Sequence, residues 1–235
     1  MTLLAYAAGQ KFADTNFTMI DWNEIETVLL DMDGTLLDLH FDDYFWQVQL
    51  PQKWGEKNDL DIDAARARLL PIFQDTEASL SWYCLDFWSE KLDMDVFALA
   101  TGIEHLIQVR PHVMEFLAHL DELGKKIVMV TNSHDKFIRL KMQKTQIGQH
   151  FHHVFNSHSF GLPKEDSGFW KILAEHLEFE TSSTLLIDDN IAVLRSARAH
   201  GIEYLLGVDR PSSQAPVRDT GEFQALSCFR DLCCG

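Results

Sequence analysis

The sequence predicts an α/β fold: a Rossmann-like, doubly wound parallel sheet of five strands that is interrupted by a helical insertion. Two observations support this prediction. Five short apolar runs alternate with segments of helical periodicity, which is typical of parallel βαβ units. The interval from Leu39 to Arg110 breaks the alternation, because it contains helix-like stretches and no convincing strand. A chain of 235 residues is long enough for one such core with an insertion.

The apolar runs are short enough to be buried strands. The predicted strands are Val28–Asp31, Ile127–Thr131, Val154–Ser157, Leu185–Asp188 and Tyr204–Gly207. Within the insertion, the clearest helical stretches are Ile62–Glu77 and Ser81–Leu92, and the interval as a whole is rich in aromatic residues. Turn-forming residues dominate Asp209–Gly221, so we expect this segment to link the last strand to a short terminal helix.

Start and stop signals mark two of the helices between these strands. Apolar residues at helical spacing follow Pro111 and end at Gly124, which predicts a helix with proline in its first turn. Asn190 is a predicted N-cap, and the helix that follows it ends before Gly201. Strands joined by such helices form a parallel sheet.

Charge and cysteine usage exclude several classes of partner. The formal net charge is −16, from 20 Lys and Arg against 36 Asp and Glu, so we expect neither nucleic acid nor an anionic membrane as a partner. No apolar run approaches the length of a membrane span. The cysteines are Cys84 and three near the end, Cys228, Cys233 and Cys234. This pattern predicts free thiols and a cytoplasmic protein.

The strongest chemical signal is the segment Asp31-Met32-Asp33-Gly34-Thr35, directly after the first predicted strand. Ligands bind at the carboxyl ends of strands in α/β sheets. Two carboxylates that project from one turn repel each other unless a cation or a proton intervenes, and hard oxygen ligands suit Mg²⁺. By itself this segment is also compatible with a simple turn. A calcium loop is disfavoured, because the downstream Glu of an EF-hand is missing.

Three later segments supply complementary groups at other strand ends. Thr131-Asn132-Ser133 offers a hydroxyl and backbone N–H groups, which are donors for phosphate oxygens, although a lone Thr there is also a common helix cap. Lys164 stands at the start of a predicted helix, where most lysines are simply solvated. Asp188-Asp189 ends a buried strand, and buried paired carboxylates are costly without a metal or hydrogen bonds.

With these four segments in this order, the sequence resembles the haloacid dehalogenase (HAD) superfamily over nearly all of Ile25–Val208. The resemblance implies a parallel sheet ordered 5-4-1-2-3, which would place Asp31 beside Asp188. It also implies that the insertion is a helical cap. The expected division of the chain is an α/β core (19–38 and 111–235), a helical cap (39–110) and an N-terminal extension (1–18).

The resemblance implies roles for the motif residues in phosphate-ester hydrolysis. Asp31 would be the nucleophile that forms an aspartyl-phosphate, and Asp33 would be the general acid and base. Mg²⁺ would be held by Asp31, the backbone carbonyl of Asp33 and Asp188, with Asp189 as a further ligand or an orienting group. Thr131, Asn132 and Lys164 would bind the phosphate. Haloacid dehalogenases lack an acid at the position of Asp33, so this residue favours phosphate esters over dehalogenation.

The local sequence of four stretches is similar to one subgroup of the superfamily, the bacterial GMP/IMP nucleotidases. This resemblance implies that the substrate is a small phosphate monoester, namely a purine nucleotide. The matching stretches are Leu29–Gln47, Trp82–Glu90, Phe160–Asp166 and Gly201–Val208. Alternatives that remain open are a sugar-phosphate phosphatase, a phosphomutase, a non-catalytic phosphate-binding protein and a signalling module. A receiver-type signalling module is disfavoured. In receivers the acidic pair comes first and the phosphoacceptor follows later in a much shorter chain, and the order of the motifs here is different.

Residues outside the four motifs carry weaker predictions. Tyr83, Phe87 and Trp88 lie at helical spacing, which favours a packed cap core over a platform for a base. His40 and Asp42 follow the first motif closely and are expected to border the site. A dense histidine cluster is expected to be a solvated surface rather than a second metal site; its members are His150, His152, His153 and His158.

Overall fold

A computed structural model describes residues 20–77 and 79–233, so the N-terminal extension (1–18) lies outside the described residues. In the described part of the chain, six strands form one parallel sheet ordered β3-β2-β1-β4-β5-β6. The strands are β1 (Thr27–Leu30), β2 (Lys126–Thr131), β3 (His153–Asn156), β4 (Thr184–Asp188), β5 (Tyr204–Val208) and β6 (Gln224–Leu226). The α/β class and the predicted order of the first five strands are confirmed.

The sixth strand corrects the sequence-based count of five. Gln224–Leu226 pairs in parallel with β5 at the sheet edge, where Leu206 lies opposite Gln224. A three-residue strand has too short a pattern to be recognised, because its place depends on backbone pairing with β5 and not on its own periodicity. The expected terminal helix is reduced to a 3₁₀ turn at Phe229–Leu232.

The helical insertion occupies the interval between β1 and β2. Its α-helices are α1 (His40–Tyr44), α2 (Leu50–Lys57), α3 (Ile62–Thr76), α4 (Leu85–Leu92) and α5 (Val96–Thr101). A π-helical segment, Phe45–Gln49, joins α1 to α2. The predicted helix Ile62–Glu77 is confirmed, whereas the one predicted from Ser81 begins only at Leu85, because Leu80–Tyr83 forms a 3₁₀ turn.

The two ends of the insertion leave the core side by side. Leu37 and Val109 form an isolated antiparallel bridge. Next to it, the backbone N–H of Asp38 donates to Gln108 O at 2.9 Å and that of Arg110 donates to Leu36 O at 2.9 Å. Most of one apolar cluster belongs to the insertion, including Phe41, Phe45 and Trp88, and the core contributes Phe137 to it. We therefore propose that 39–110 is a separate cap and that 19–38 and 111–235 form the core.

Five further helices cover the two faces of the sheet. They are α6 (Val113–Glu122), α7 (Asp135–Thr145), α8 (Ser157–Phe160), α9 (Ser167–His176) and α10 (Ile191–His200). The helix predicted after Pro111 is confirmed as α6. The cap of α10 is also confirmed, since Asn190 Oδ1 accepts from the backbone N–H of Ala192 at 2.9 Å. No helix of the described residues is both long enough and apolar enough to cross a membrane.

The helices leave two apolar layers, one on each face of the sheet. One layer contains Phe116 and Phe229, and the other contains Phe169 and Trp170. Because the central strands are covered on both sides, their backbone is fixed and their carboxyl ends form a rigid edge. The functional groups described next lie along that edge.

Candidate active site

The turn after β1 presents the first pair of carboxylates. Asp31 is 5% exposed, and its backbone N–H donates to Ile187 O of β4 at 3.1 Å. Gly34 has a φ of +88°, which permits the tight turn that follows. Arg110 is buried below this turn and donates from Nη1 to Thr35 O at 3.0 Å. The turn is therefore held from both the sheet and the end of the insertion.

The end of β4 brings the second pair against the first. Carboxylate oxygens of Asp31, Asp188 and Asp189 lie within 4.8 Å of one another. Asp188 Oδ1 accepts from the backbone N–H of Asn190 at 2.9 Å. Asp31 Oδ2 is buried and has no hydrogen-bond partner among the described residues. This donor set of carboxylate oxygens, with one buried oxygen left unpaired, fits a hard divalent cation such as Mg²⁺.

Lys164 bridges the two pairs of carboxylates by contacting one member of each pair. Its side chain is 2% exposed, and Nζ donates to Asp31 Oδ1 at 2.6 Å and to Asp188 Oδ2 at 2.7 Å. Its backbone is fixed by Trp170, whose Nε1 donates to Lys164 O at 2.9 Å. Lys164 lies in the loop before α9, which begins at Ser167, and not at the helix start as predicted. The loop allows its side chain to reach back across the sheet edge.

The site carries more negative charge than its lysine neutralises. Burial raises the pKa of Asp31 well above its ordinary value, and the nearby Asp188 and Asp189 raise it further, while Lys164 opposes them. Burial and then Asp188 raise the pKa of Asp189 to about 7. Burial would lower the pKa of Lys164, but Asp188 and Asp31 outweigh it, so its pKa rises and it stays charged. A divalent cation would relieve this repulsion.

The loop after β2 supplies the predicted phosphate donors. Thr131 is 1% exposed, and its Oγ1 accepts from the backbone N–H of Ser133 at 3.0 Å, which leaves the hydroxyl proton for a ligand. The side chain of Asn132 is engaged with protein groups at both ends. Its Oδ1 accepts from the backbone N–H of Lys164 at 2.9 Å, and its Nδ2 donates to Glu165 at 2.9 Å.

Glu165 links this loop to the insertion. Its Oε1 accepts from the Tyr83 hydroxyl at 2.8 Å and from Asn190 Nδ2 at 3.0 Å. Burial and the adjacent Glu165 carboxylate raise the pKa of Tyr83, so the hydroxyl remains a donor. The interpretation of Tyr83 as cap core is therefore wrong, since it lines the cavity, whereas Trp88 is fully buried as predicted.

A cavity of about 1060 Å³ lies between the core and the insertion. Its floor includes all seven predicted site residues, namely Asp31, Asp33, Thr131, Asn132, Lys164, Asp188 and Asp189. Its opposite wall includes Trp46, Phe73 and Trp82. The rings of Trp46 and Trp82 lie 6.4 Å apart at 22°, nearly parallel. The structure thus brings the four motifs to one cavity and adds an aromatic wall opposite them.

Two buried cations at this site were missed by sequence reasoning. Arg110 has no local pattern that marks it. Lys141 on α7 is 1% exposed and donates from Nζ to Asp33 Oδ1 at 2.7 Å and to both carboxylate oxygens of Asp42 at 2.9 Å. One signal was available, because Lys141 stands four residues after Phe137 on the buried face of its helix.

Other predicted residues lie apart from these groups or border them. Asp42 lines the cavity as expected, whereas His40 is not among the lining residues. Of the histidine cluster, His150 contacts Asp121 at 2.6 Å and His152 accepts from the backbone N–H of Ile127 at 3.1 Å. Among the described residues, the one group with metal-binding geometry is that of the three aspartates, with no histidine in it.

Comparison with known proteins agrees with the α/β fold and identifies the family. A sequence model of the haloacid dehalogenase-like hydrolases matches residues 25–201, and the chain belongs to this family. The chain is 38% identical over 213 residues to the GMP/IMP nucleotidase YrfG of Escherichia coli (strain K12), across 91% of this chain and 96% of that protein. The protein of the same name from Shigella flexneri matches equally. The resemblance stated from the sequence is therefore confirmed.

Two solved structures show the same fold. The HAD phosphatase from Thermococcus onnurineus superposes with a TM-score of 0.74 at 22% identity, over 88% of this chain and 96% of that one. CbbY from Rhodobacter sphaeroides, solved in complex with phosphate, gives a TM-score of 0.64 at 13% identity, over 88% and 96% of the two chains. At these identities the likeness concerns the fold alone.

Proposed function

We propose that this hydrolase is a Mg²⁺-dependent phosphomonoesterase that acts on purine 5′-nucleotides through an aspartyl-phosphate. The observation that carries the proposal is the convergence of Asp31, Lys164 and Asp188 at the floor of one cavity. Lys164 holds Asp31 Oδ1, while Oδ2 has no partner among the described residues. The carboxylate therefore offers oxygens both for a cation and for attack on phosphorus.

Asp31, the backbone carbonyl of Asp33 and Asp188 would hold Mg²⁺, with Asp189 beside them as a ligand or an orienting group. The cation would screen the charge between the Asp31 carboxylate and the phosphate dianion and would polarise a phosphoryl oxygen. Lys164 and the Thr131 hydroxyl would bind phosphoryl oxygens on which charge develops, and loss of such a donor typically costs about 2.7–4 kcal/mol of barrier. Because its side chain is engaged, we expect Asn132 to act by orienting Lys164.

Asp33 would move the protons. In the first step an Asp31 oxygen attacks phosphorus, the ester bond breaks, and the leaving alkoxide takes the Asp33 proton. In the second step water attacks the aspartyl-phosphate, its proton passes to Asp33, and Asp31 is released as a carboxylate with free phosphate. Both steps need the Asp33 side chain to face the cavity, where it is 19% exposed.

The aromatic wall supports a nucleotide as the substrate class. Pockets that bind small molecules typically measure about 300–1,000 Å³, and this cavity, at about 1060 Å³, lies just above that range. The Trp46 and Trp82 rings offer stacking surface opposite the phosphate-binding floor, and stacking of a base is worth about 1–3 kcal/mol in single-strand binders. The relative at 38% identity is named a GMP/IMP nucleotidase, which supports a 6-oxopurine base.

The direct test is phosphate release from GMP and IMP, compared with AMP, CMP, hexose phosphates and glycerol phosphate. We expect the purified protein to favour GMP and IMP, to lose activity in EDTA and to recover it with Mg²⁺. Asp31→Asn should abolish release, whereas Asp63→Asn, a matched change at an exposed carboxylate, should not. Equal activity in EDTA or an active Asp31→Asn would reject the mechanism. A preference for hexose phosphates would support the alternative sugar-phosphate phosphatase or phosphomutase.

We also propose a cytoplasmic location. Cys84 and Cys228 carry free thiols, which supports a reducing compartment, whereas Cys234 lies outside the described residues. The net charge of −16 supports a small anionic ligand held by local groups rather than a nucleic-acid partner.

A further inference from the structure

A buried lysine joins the predicted general acid to the helical insertion. Lys141 projects from α7 between Asp33 of the core and Asp42 of α1. Its ammonium also lies 5.1 Å from the ring centroid of Phe41 and 5.0 Å from that of Phe137. The carboxylates and aromatic rings surround the ammonium group, and the Lys141 side chain is 1% exposed.

The surroundings of Lys141 keep it protonated. Burial would lower the pKa of Lys141, but attraction to Asp33 and then to Asp42 outweighs burial, so its pKa rises. Nζ donates one hydrogen bond of 2.7 Å to Asp33 and two of 2.9 Å to Asp42, and these three bonds fix the ammonium. Asp33 stands on the turn after β1 and lines the cavity, so this ammonium fixes one oxygen of a carboxylate that a substrate would meet.

We propose that Lys141 is a positioning residue, which aims Asp33 at the leaving group and makes that aim depend on Asp42, and hence on the docked insertion. The inference rests on the proposed function, in which Asp33 transfers protons. A lysine that only fastened the insertion to the core would not need to touch Asp33. Lys144, one turn further along α7, is such a contact: it pairs with Glu104 of the insertion at 2.7 Å, at a half-exposed surface.

Substrates with different leaving groups distinguish a positioning role of Lys141 from a purely structural one. The alkoxide of GMP must be protonated as it leaves, whereas the phenolate of p-nitrophenyl phosphate leaves without a proton. General acid catalysis contributes typically about 10²–10⁴-fold. Misplacing Asp33 should therefore slow the first step with GMP far more than the first step with p-nitrophenyl phosphate.

The experiment measures single-turnover cleavage of both substrates, with Mg²⁺, by wild type and variants. We expect Lys141→Met to slow GMP cleavage by about 10²-fold or more and the p-nitrophenolate burst by less than about threefold. The quantity compared is the ratio of the GMP cleavage rate to the p-nitrophenyl phosphate cleavage rate. Lys141→Arg should restore part of this ratio, since it keeps the charge. Lys144→Met, the matched control, should leave the ratio within about twofold of wild type, as an exposed pair contributes little.

Asp42→Asn keeps the shape and an acceptor oxygen, so it covers the case in which Lys141→Met does not fold. Although Asp42 does not donate to or accept from Asp33, we expect Asp42→Asn to shift the ratio in the same direction as Lys141→Met. Equal slowing of both substrates by the folded variants, or no slowing, would overturn the inference. Absence of any wild-type activity on either substrate would instead reject the proposed function.

Discussion

Gly34→Ala tests whether the first motif needs glycine for its turn and for the space beside Asp189. Gly34 has a φ of +88°, a conformation that costs L-residues about 1–2 kcal/mol. A Cβ at this position would lie 2.7 Å from Asp189 Oδ2, 2.8 Å from its Cγ and 3.1 Å from Pro211 Cβ. Ordinary contacts begin near 3.4 Å, so the Asp189 carboxylate must move.

The magnitude follows from that displacement. To restore an ordinary contact, the Asp189 carboxylate must retreat by more than half an ångström (roughly 0.7 Å), and a shift of about 1 Å in a catalytic site can cost about 10²-fold in rate. The turn also carries the backbone carbonyl of Asp33, which we propose as a metal ligand. We therefore expect Gly34→Ala to lower kcat by about 10–10²-fold and to raise the Mg²⁺ concentration for half-maximal activity.

Gly124→Ala is the matched control. Gly124 has a φ of +65°, and nothing lies within 4 Å of the position that its Cβ would take. Both variants should lose about 1–2 kcal/mol of unfolding free energy in urea, whereas only Gly34→Ala should lose activity and Mg²⁺ affinity. A Gly34→Ala enzyme with wild-type kcat and Mg²⁺ dependence would refute the reasoning, and so would an equal loss in Gly124→Ala.

Three further outcomes can be measured on the same preparations. In EDTA, the free energy of unfolding should fall by about 2–5 kcal/mol from pH 5 to pH 8, and Mg²⁺ should reduce this fall. The sign follows because burial raises the pKa of both Asp42 and Asp189 to about 7 in the folded protein, above the ordinary value of 3.8. Their stabilising contribution is therefore complete below the ordinary value and is lost as the pH rises through about 7. A flat profile of unfolding free energy against pH would contradict this reasoning. Trp88→Ala should cost about 3–5 kcal/mol in urea unfolding, because Trp88 is fully buried, and a loss below about 1 kcal/mol would contradict the assigned packing. Trp82→Ala should raise KM for GMP about tenfold and leave KM for glycerol phosphate unchanged, and an equal effect on both would argue against stacking.

The core and the four motifs were predictable because their signals are local. β1 and β4 are continuous buried runs, and each ends in its acidic pair within a few residues. Parallel pairing then brings the two ends together, with Leu30 opposite Ile187. Once the strand order is given, the neighbourhood of Asp31 and Asp188 follows from the sheet alone.

The parts that were missed depend on contacts between distant segments. Lys141 resembles a surface lysine in sequence, and its burial follows from carboxylates 99 and 108 residues away along the chain. Tyr83 sits in an aromatic pattern that suggests packing, but its hydroxyl is directed by Glu165 of the core. Helical spacing specifies which face of a helix is buried, and it does not specify which polar group that face will meet.

The bridge between Leu37 and Val109 has a consequence for how the insertion can be exchanged. Since the chain departs from the core and returns to it at adjacent points, a segment of another length or composition can be accommodated there while the sheet stays as it is. Under the proposed function, most of the reacting groups and the aromatic wall are then encoded in different stretches of the gene, and Asp42 is the contact that a replacement segment has to keep. Grafting the 39–110 segment of a relative onto this scaffold is thus a practical route to new substrate preferences.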